Sequence, residues 1–368
     1  MTRLSPTGPD ERKRSSSGKI KGLAAVLLIL ILSCPGCRLA YIFHAAAGQY
    51  RLLHDSVPVD EALKDERLGP EAKARLRLVA RVKDFGEREL GLKPTQNYQT
   101  VYLKTGRGPV YCISASPKDR LERVTWWFPV VGDMPYLGFF DLNRARAKKE
   151  RLEKKDLDVT MGVADAYSTL GWFRDPVTLN LIQGSTVDLV ETLLHEMTHV
   201  TLYLMGQGEF NEGLAVLVGK LGALRFLKKN FGPSDPLTVE AEDAVKDERL
   251  FCTFLSSLIQ KLEAFYNSGL SYRQKLEKRE KAFSDAVDAF GRLKAEFKTE
   301  RYAGFGSAGL NNAYLMSVGL YHRHFHLFES ALKRHGDSLK ETISFFKELA
   351  KKDANMLAET RKWLKSAP

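Results

Sequence analysis

One helix constrains this chain more than any other stretch. It is predicted between Val187 and Leu204, preceded by a capping-box-like sequence from Ser185 to Asp188 and ended by Gly206. It contains the sequence His195-Glu196-Met197-Thr198-His199. Because residues four apart on a helix lie on one face, the two histidines can bind one cation while Glu196 points beside it.

This spacing is typical of a zinc hydrolase. Two neutral imidazoles suit Zn²⁺, and the carboxylate of Glu196 can take a proton from water whose pKa the metal lowers to about 7. A third protein ligand is then required, and the fourth position should stay open for water and substrate. The sequence predicts that Glu212 is this third ligand and that Asn211 supports it.

A helix with two incidental histidines is the alternative interpretation. The residues around the histidines are uncharged, among them Met197, Thr198 and Val200, which indicates a buried helix. Buried polar groups need partners, and a metal ion supplies them. The sequence therefore favours one zinc ion as the cofactor.

Length and charge exclude some classes of protein. A chain of 368 residues with 44% hydrophobic content can bury a core, in one large domain or two smaller ones. The net charge is +11, but the basic residues are scattered and no glycine-rich phosphate loop is present. Nucleic acid is therefore not an expected partner, whereas weak attraction to an anionic membrane surface is.

The N-terminus resembles an export signal. The apolar run from Gly22 to Ser33 has about 12 residues, short of the roughly 20 that a membrane-spanning helix needs. A cysteine after a small residue then resembles a bacterial lipoprotein processing site, with Cys37 favoured over Cys34 as the lipidated residue. An uncleaved signal anchor is the alternative. In either case we expect a protein tethered to a membrane of the bacterial envelope and facing the periplasm.

Two cysteines remain in the body of the chain, Cys112 and Cys252. In an exported protein they could form a disulfide, but two cysteines do not define a framework, so they are expected either to bridge or to stay free.

The hydrophobic patterns predict an α+β fold with a mostly helical C-terminal half. Helices are predicted over Leu39–His54, Pro70–Leu90, Asp141–Lys155, Leu214–Lys229, Leu237–Tyr266, Ser271–Tyr302, from Asn311 through His326, and Asp337–Leu364. Strands over Tyr98–Leu103, Pro109–Ser114 and Arg123–Val131 predict a small antiparallel sheet packed on the zinc helix. The expected parts are a signal segment (1–36), an N-terminal α/β part (37–180), the zinc-binding helices (181–232) and a helical C-terminal part (233–368).

Residues outside the zinc motif are also candidates for the site. After a strand that begins at Asp158, an irregular aromatic segment could pair with extended substrate backbone. Its candidate substrate-binding residues are Ala166, Tyr167, Ser168, Thr169 and Gly171. A buttress beneath the zinc helix is an equally open interpretation of that segment.

The last predicted helices carry further candidates. Tyr314, Tyr321 or His322 could reach the zinc cleft and stabilise an oxyanion. His322 and His326 are four apart, but no carboxylate of fixed register lies nearby, which disfavours a second metal site.

Several motifs together resemble the bacterial predicted-aminopeptidase lipoprotein family. They are Trp127-Phe128-Pro129-Val130-Val131-Gly132, Tyr136-Leu137-Gly138-Phe139-Phe140, Ala166 to Phe173 with Asp175-Pro176, the zinc motif, Asn211-Glu212 and Asn311-Asn312-Ala313. The resemblance implies zinc ligation by His195, His199 and Glu212, catalysis by Glu196, and removal of N-terminal residues from peptides. The site is also similar to that of the gluzincin peptidases, which implies a gluzincin-like fold. Relatives often carry cysteines at the positions of Trp127 and Asp133, a departure that leaves this chain without that disulfide.

Two other functions stay open. An aminopeptidase needs an acidic group that binds the free α-ammonium of a peptide substrate, for which Glu209, Asp133 and Asp175 are candidates; without one, the protein would be a zinc endopeptidase. The other alternative is a non-catalytic envelope lipoprotein stabilised by zinc. The presence of Glu196 beside the two histidines argues against it, because a structural zinc site needs no base.

Overall fold

The computed structural model describes residues 36–104, 110–128, 132–164 and 173–366, with the backbone only for 36–40 and 164. The chain divides into two compact units, one up to Arg51 and one from Leu52 onward. Cys34 and the apolar run before it lie outside the described residues, and Cys37 contributes backbone to the first helix. Among the described helices, none combines the length and the apolar character needed to cross a membrane.

The fold is α+β, as predicted, and helices dominate it. The α-helices are α1 (Gly36–His54), α2 (Val59–Ala62), α3 (Pro70–Arg88), α4 (Leu142–Glu153), α5 (Leu179–Gln183), α6 (Thr186–Thr201), α7 (Gly208–Phe231), α8 (Pro236–Tyr266), α9 (Tyr272–Leu293), α10 (Asn312–His322), α11 (Phe325–Arg334), α12 (Leu339–Leu349) and α13 (Met356–Lys365). Several of these helices begin at an N-cap residue of the type that the sequence favours, such as Asp, Ser or Asn. Asp141, for example, accepts a hydrogen bond from the backbone of Arg144 at 2.9 Å and so begins α4 where predicted.

In the part of the chain that the structure describes, the strands form three small sheets instead of the one antiparallel sheet that was predicted. They are β1 (Val57–Pro58), β2 (Thr100–Tyr102), β3 (Val110–Pro117), β4 (Trp126–Phe128), β5 (Gly132–Met134), β6 (Leu137–Phe139), β7 (Leu157–Ala164) and β8 (Val177–Thr178). The sheet orders are β1-β2-β8, with β2 and β8 parallel, β6-β3-β7, which is antiparallel, and the β4-β5 pair. The prediction was wrong because the pairing of β2 with β8 joins segments far apart in the chain, which no local pattern reports.

The antiparallel sheet does not provide the surface on which α6 packs. Its inner residues, Ile113, Ala115 and Val159, form a small core with α4. The main core instead surrounds α6 and α7 and draws on α3, α11, α12 and α13. The candidate zinc helix is therefore buried mainly among helices.

Two predicted helices are broken in the structure. The helix from Asn311 ends at His322, and α11 begins at Phe325, so His322 and His326 lie on different helices. The last predicted helix is interrupted at Asp353, which adopts a left-handed conformation with φ of 49°. Asn355 then caps α13 by accepting a hydrogen bond from the backbone of Ala358 at 2.9 Å.

The two remaining cysteines are free. Burial raises the pKa of the Cys112 thiol to about 11, which keeps it protonated and unreactive at neutral pH. Trp127 and Asp133, the positions at which the family resemblance implies cysteines, lie directly opposite each other on β4 and β5.

Candidate metal centre

Helix α6 places the two histidines on one face. Ser185 caps the helix by accepting a hydrogen bond from the backbone of Asp188 at 2.9 Å. The opposite face is fully buried through Leu193, Leu194 and Met197. Since this apolar face is fixed in the core, the helix cannot rotate freely, and His195 and His199 are held toward α7.

Helix α7 brings Glu212 to the histidines after a short loop. The side chain of Asn211 ties this loop down, because it accepts a hydrogen bond from the backbone N–H of Leu204 at 3.0 Å and donates one to the carbonyl of Leu204 at 2.8 Å. Asn211 thus supports the ligand by fixing the chain before it. Gly213 is needed for close packing, because a Cβ there would lie 2.4 Å from the ring of Phe328.

The three side chains form a compact donor triangle. His195 Nε2 lies 3.1 Å from His199 Nε2 and 3.2 Å from Glu212 Oε2, and His199 Nε2 lies 3.3 Å from the same oxygen. Tetrahedral ligands about 2.0–2.2 Å from a zinc ion would be separated by about 3.3–3.6 Å, close to these distances. The residues therefore fit a zinc ion, and this is the group among the described residues that could hold a metal.

Charge at the triangle also fits a cation. Burial opposes ionisation of Glu212, yet the two histidines hold the pKa of its carboxyl well below the usual range. Burial likewise disfavours the charged form of His199, but Glu212 and Glu196 outweigh it and raise the pKa of that imidazole. An anionic carboxylate beside two imidazole nitrogens is a donor set that a divalent metal satisfies.

Glu196 lies beside the triangle. It is half-buried, and its carboxylate contributes to the raised pKa values of His199, Tyr136 and Tyr321. A cavity of about 10 Å³, large enough for about one water, opens between Glu196, Tyr98 and Thr192. The predicted base thus has both the ligands and a water-sized space as neighbours.

Three tyrosines surround the ligands. The ring of Tyr321, predicted from sequence, stacks on His195 with centroids 6.2 Å apart. Tyr203 meets His199 edge to face at 6.1 Å, and its hydroxyl reaches the sulfur of Met134 at 3.7 Å. Burial raises the pKa of Tyr136 well above the ordinary value, and the negative charges of Glu212 and Glu196 raise it further. Sequence reasoning missed Tyr136 and Tyr203 as site residues, although Tyr203 follows His199 by four positions.

Two other predicted residues are placed elsewhere. Tyr314 packs on Phe305 in a separate apolar cluster, with centroids 5.7 Å apart. His322 points to Glu248, whose carboxylate meets its Nδ1 at 2.8 Å. The disfavoured second metal site also does not form among the described residues, since His326 contacts Thr253 instead.

Most of the acidic residues considered for binding an α-ammonium already pair with other side chains of the protein. Glu209 is paired with Arg123 at 2.9 Å and His324 at 3.1 Å. Asp175 is buried and accepts a hydrogen bond from Asn97 at 3.3 Å. Asp133 is exposed on the β4-β5 pair.

The predicted substrate-binding residues Ala166, Tyr167, Ser168, Thr169 and Gly171 lie outside the described residues. Strand β7 leads directly into them and ends at Ala164. It occupies an edge of its sheet in the described part of the chain, and Val163 near its end is 54% exposed.

An α+β fold with a largely buried His-His-Glu triangle defines a candidate metal-binding protein. The chain belongs to the family described as "Putative aminopeptidase", whose profile matches residues 40–364. Comparison with curated proteins and with solved structures found no match. The resemblance to a predicted-aminopeptidase family, expected from the sequence, is thereby confirmed.

Proposed function

We propose that this protein is a zinc-dependent peptidase, with His195, His199 and Glu212 as the zinc ligands. The observation that carries the proposal is the triangle of donor atoms, with sides of 3.1, 3.2 and 3.3 Å. Its location on two successive helices, with Glu196 directly after the first ligand, is the arrangement that the hydrolase chemistry requires.

The chain's own residues divide the chemistry between them. A bound zinc ion would supply Lewis acidity, which polarises the scissile carbonyl and lowers the pKa of a water in the open position to about 7. Glu196 accepts the proton of the attacking water and delivers it to the leaving amine. Glu196 suits this role because it is half-buried next to the ligands and, within the described ranges of the chain, its carboxylate accepts no hydrogen bond.

A tyrosine hydroxyl stabilises the developing oxyanion. Burial, and after it the charge of Glu212, raises the pKa of Tyr321 and of Tyr136 well above the ordinary value. Both therefore stay protonated at neutral pH and can donate a hydrogen bond to a negative oxygen. Tyr321 is favoured because its ring contacts His195.

Substrate backbone pairs with the chain near the end of β7. Strand β7 has its long pairing with β3 on one side, and Val163 is exposed close to the segment that carries the predicted substrate-binding residues. An extended peptide can add to such an edge through main-chain hydrogen bonds, which tolerate many side chains.

Removal of N-terminal residues is the favoured activity, because the family description names aminopeptidase. Endopeptidase activity is the second candidate, and a specific observation supports it. Glu209 and Asp175, two of the three acids considered for the α-ammonium, are held by other residues.

We further propose that an N-terminal lipid on Cys37, or an uncleaved signal anchor, tethers the protein to a membrane of the bacterial envelope, facing the periplasm.

The decisive experiment compares wild-type protein with Glu196→Gln on two sets of fluorogenic peptides, one with free N-termini and one N-acetylated. We expect one zinc per chain in both proteins by elemental analysis, and a loss of turnover of about 10²- to 10⁴-fold in the variant. Cleavage limited to free N-termini would establish an aminopeptidase, and cleavage of acetylated peptides an endopeptidase. A wild-type protein without zinc, or a variant with full turnover, would overturn the proposal.

A further inference from the structure

The seam between α6 and α7 carries a second polar contact besides the ligand triangle. Glu191 precedes His199 by eight residues, and Lys220 follows Glu212 by eight. In an antiparallel helix pair these positions are equivalent neighbours, about 12 Å along the seam from His199 and Glu212 and about 6 Å from His195. Lys220 Nζ indeed lies 3.4 Å from Glu191 Oε2.

Lys220 is buried, which is unusual for a lysine. Its side chain is 8% exposed, and a second carboxylate, that of Glu248 on α8, lies 3.5 Å away and is fully buried. An ammonium group in such surroundings is retained when carboxylates pair with it. Lys220 therefore joins three helices through charge.

Glu248 extends this contact to α10. Its carboxylate meets His322 Nδ1 at 2.8 Å and accepts a hydrogen bond from the hydroxyl of Tyr302 at 2.5 Å. Burial opposes ionisation of Glu248, but His322 and Lys220 lower its pKa to about 2. The residue before His322 is Tyr321, which contacts His195. The ion pairs of Lys220 are therefore connected to the candidate site through α6, by Glu191, and through α10, by His322 and Tyr321.

The seam leaves no room for independent movement at this point. A Cβ on Gly219 would lie 2.8 Å from the carbonyl oxygen of Glu191 and 3.3 Å from Cβ of His195. The backbones of α6 and α7 are therefore in close contact between Lys220 and the ligands. A shift of one helix along the other at Lys220 must also shift His195 relative to Glu212.

We propose that Lys220 is a positioning residue for the metal site. Its contacts with Glu191 and Glu248 fix the register of α6 against α7 in the metal-free protein, which holds the three ligands at coordinating distance before a metal binds. The inference rests on the proposed zinc site. A preorganised site binds more tightly because less of the binding free energy is used to order the ligands.

Zinc affinity tests this role, and the sign of the effect separates it from simple electrostatics. The full-length protein and its variants would be titrated with zinc against a chromophoric chelator, with circular dichroism as the test of folding. If Lys220 acted only as a positive charge, Lys220→Met would bind zinc more tightly, because a repulsion is removed. If it positions the ligands, zinc binding should weaken by about 10- to 100-fold, as for other residues that orient metal ligands.

Matched variants complete the test. Lys228→Met makes the same change at an exposed position eight residues further along α7, and it should leave zinc affinity unchanged. Lys220→Arg keeps the charge and should recover most of the affinity. If Lys220→Met does not fold, Glu191→Gln cuts the link to α6 while Lys220 keeps Glu248, and it should weaken zinc binding in the same direction.

The outcomes separate the two claims. Wild-type protein that binds no zinc would overturn the proposed function and this inference with it. The inference alone would be overturned if the wild type bound zinc tightly and a folded Lys220→Met bound it equally well or more tightly. Where Glu191→Gln replaces that variant, the same result for Glu191→Gln would overturn it.

Discussion

Tyr321 stacks on His195, with ring centroids 6.2 Å apart and an angle of 27° between the planes. The contact joins α10 to α6, although 126 positions separate the two residues. It places a phenol beside the face on which the ligands meet.

Tyr321→Phe should therefore reduce catalysis while zinc stays bound. Loss of one hydrogen-bond donor to an oxyanion costs about 10²- to 10³-fold in kcat, and the phenyl ring preserves the stacking on His195. Steady-state kinetics and elemental analysis measure the two effects. Tyr314→Phe, two turns earlier on the same helix and packed on Phe305, is the control and should keep wild-type kcat. Equal kcat values for Tyr321→Phe and wild type would exclude the role.

Removal of zinc should destabilise the protein. A ligand present at 100 times its dissociation constant stabilises the folded state by about 2.7 kcal/mol, so chelation should lower the melting temperature. Glu212→Gln should abolish this zinc-dependent shift, because an amide oxygen is a poorer ligand than the carboxylate that completes the triangle. Glu196→Gln should retain the shift. Differential scanning fluorimetry with and without chelator measures it, and an unchanged shift in Glu212→Gln would remove that residue from the ligand set.

Glu209 should make stability depend on pH. Burial would raise its pKa, but His324 and Arg123 lower it to about 2 in the folded protein. A carboxyl whose pKa is lower when folded stabilises the protein above its unfolded pKa, and this contribution is lost as the pH falls from about 4.5 toward 2. Glu209→Gln should thus destabilise the protein fully at any pH well above 4.5, and the difference from wild type should shrink as the pH falls below 4.5. Urea unfolding at several pH values checks this, with a Gln substitution at the exposed Glu71 as control. A difference in the free energy of unfolding between wild type and Glu209→Gln that increases on acidification would contradict the prediction.

A buried ion pair should dominate the stability of the region that carries α10. Arg279 donates two hydrogen bonds to Asp158, at 2.8 and 2.9 Å, and Asp158 also accepts one from the backbone of Asn312 at 3.0 Å. Arg279→Met leaves a buried carboxylate unpaired, which costs about 3–5 kcal/mol in the free energy of unfolding. Denaturant titration measures the loss. Arg273→Met, exposed on the same helix, should cost under about 1 kcal/mol, and a similarly small loss for Arg279→Met would show that the pair contributes little.

The sequence predicts the parts of the site that depend on local spacing. His195 and His199 are one helical turn apart, and Glu212 lies just after the first turn of the next helix, so their approach follows from two helices and a short loop. Tyr136 could not be predicted in the same way, because its approach to Glu212 depends on how the segment after β5 packs.

Long-range pairing explains the remaining differences in the fold. His322 was expected at the cleft, but the partner that orients it, Glu248, lies 74 residues earlier. The parallel pairing of Val101 with Val177 likewise joins distant segments of two or three residues, too short to show a periodic pattern. The break at Asp353 was missed because the surrounding helical pattern is otherwise continuous.

Three adjacent positions at the start of α7 meet three unrelated physical demands. Asn211 forms two hydrogen bonds with the backbone of Leu204, Glu212 completes the donor triangle, and Gly213 lies against the ring of Phe328. Each requirement excludes most other residues at its own position, and the residue at an adjacent position cannot fulfil it instead. In a newly sequenced chain, an Asn-Glu-Gly tripeptide at this distance from paired histidines would therefore diagnose the same centre more selectively than the histidines alone.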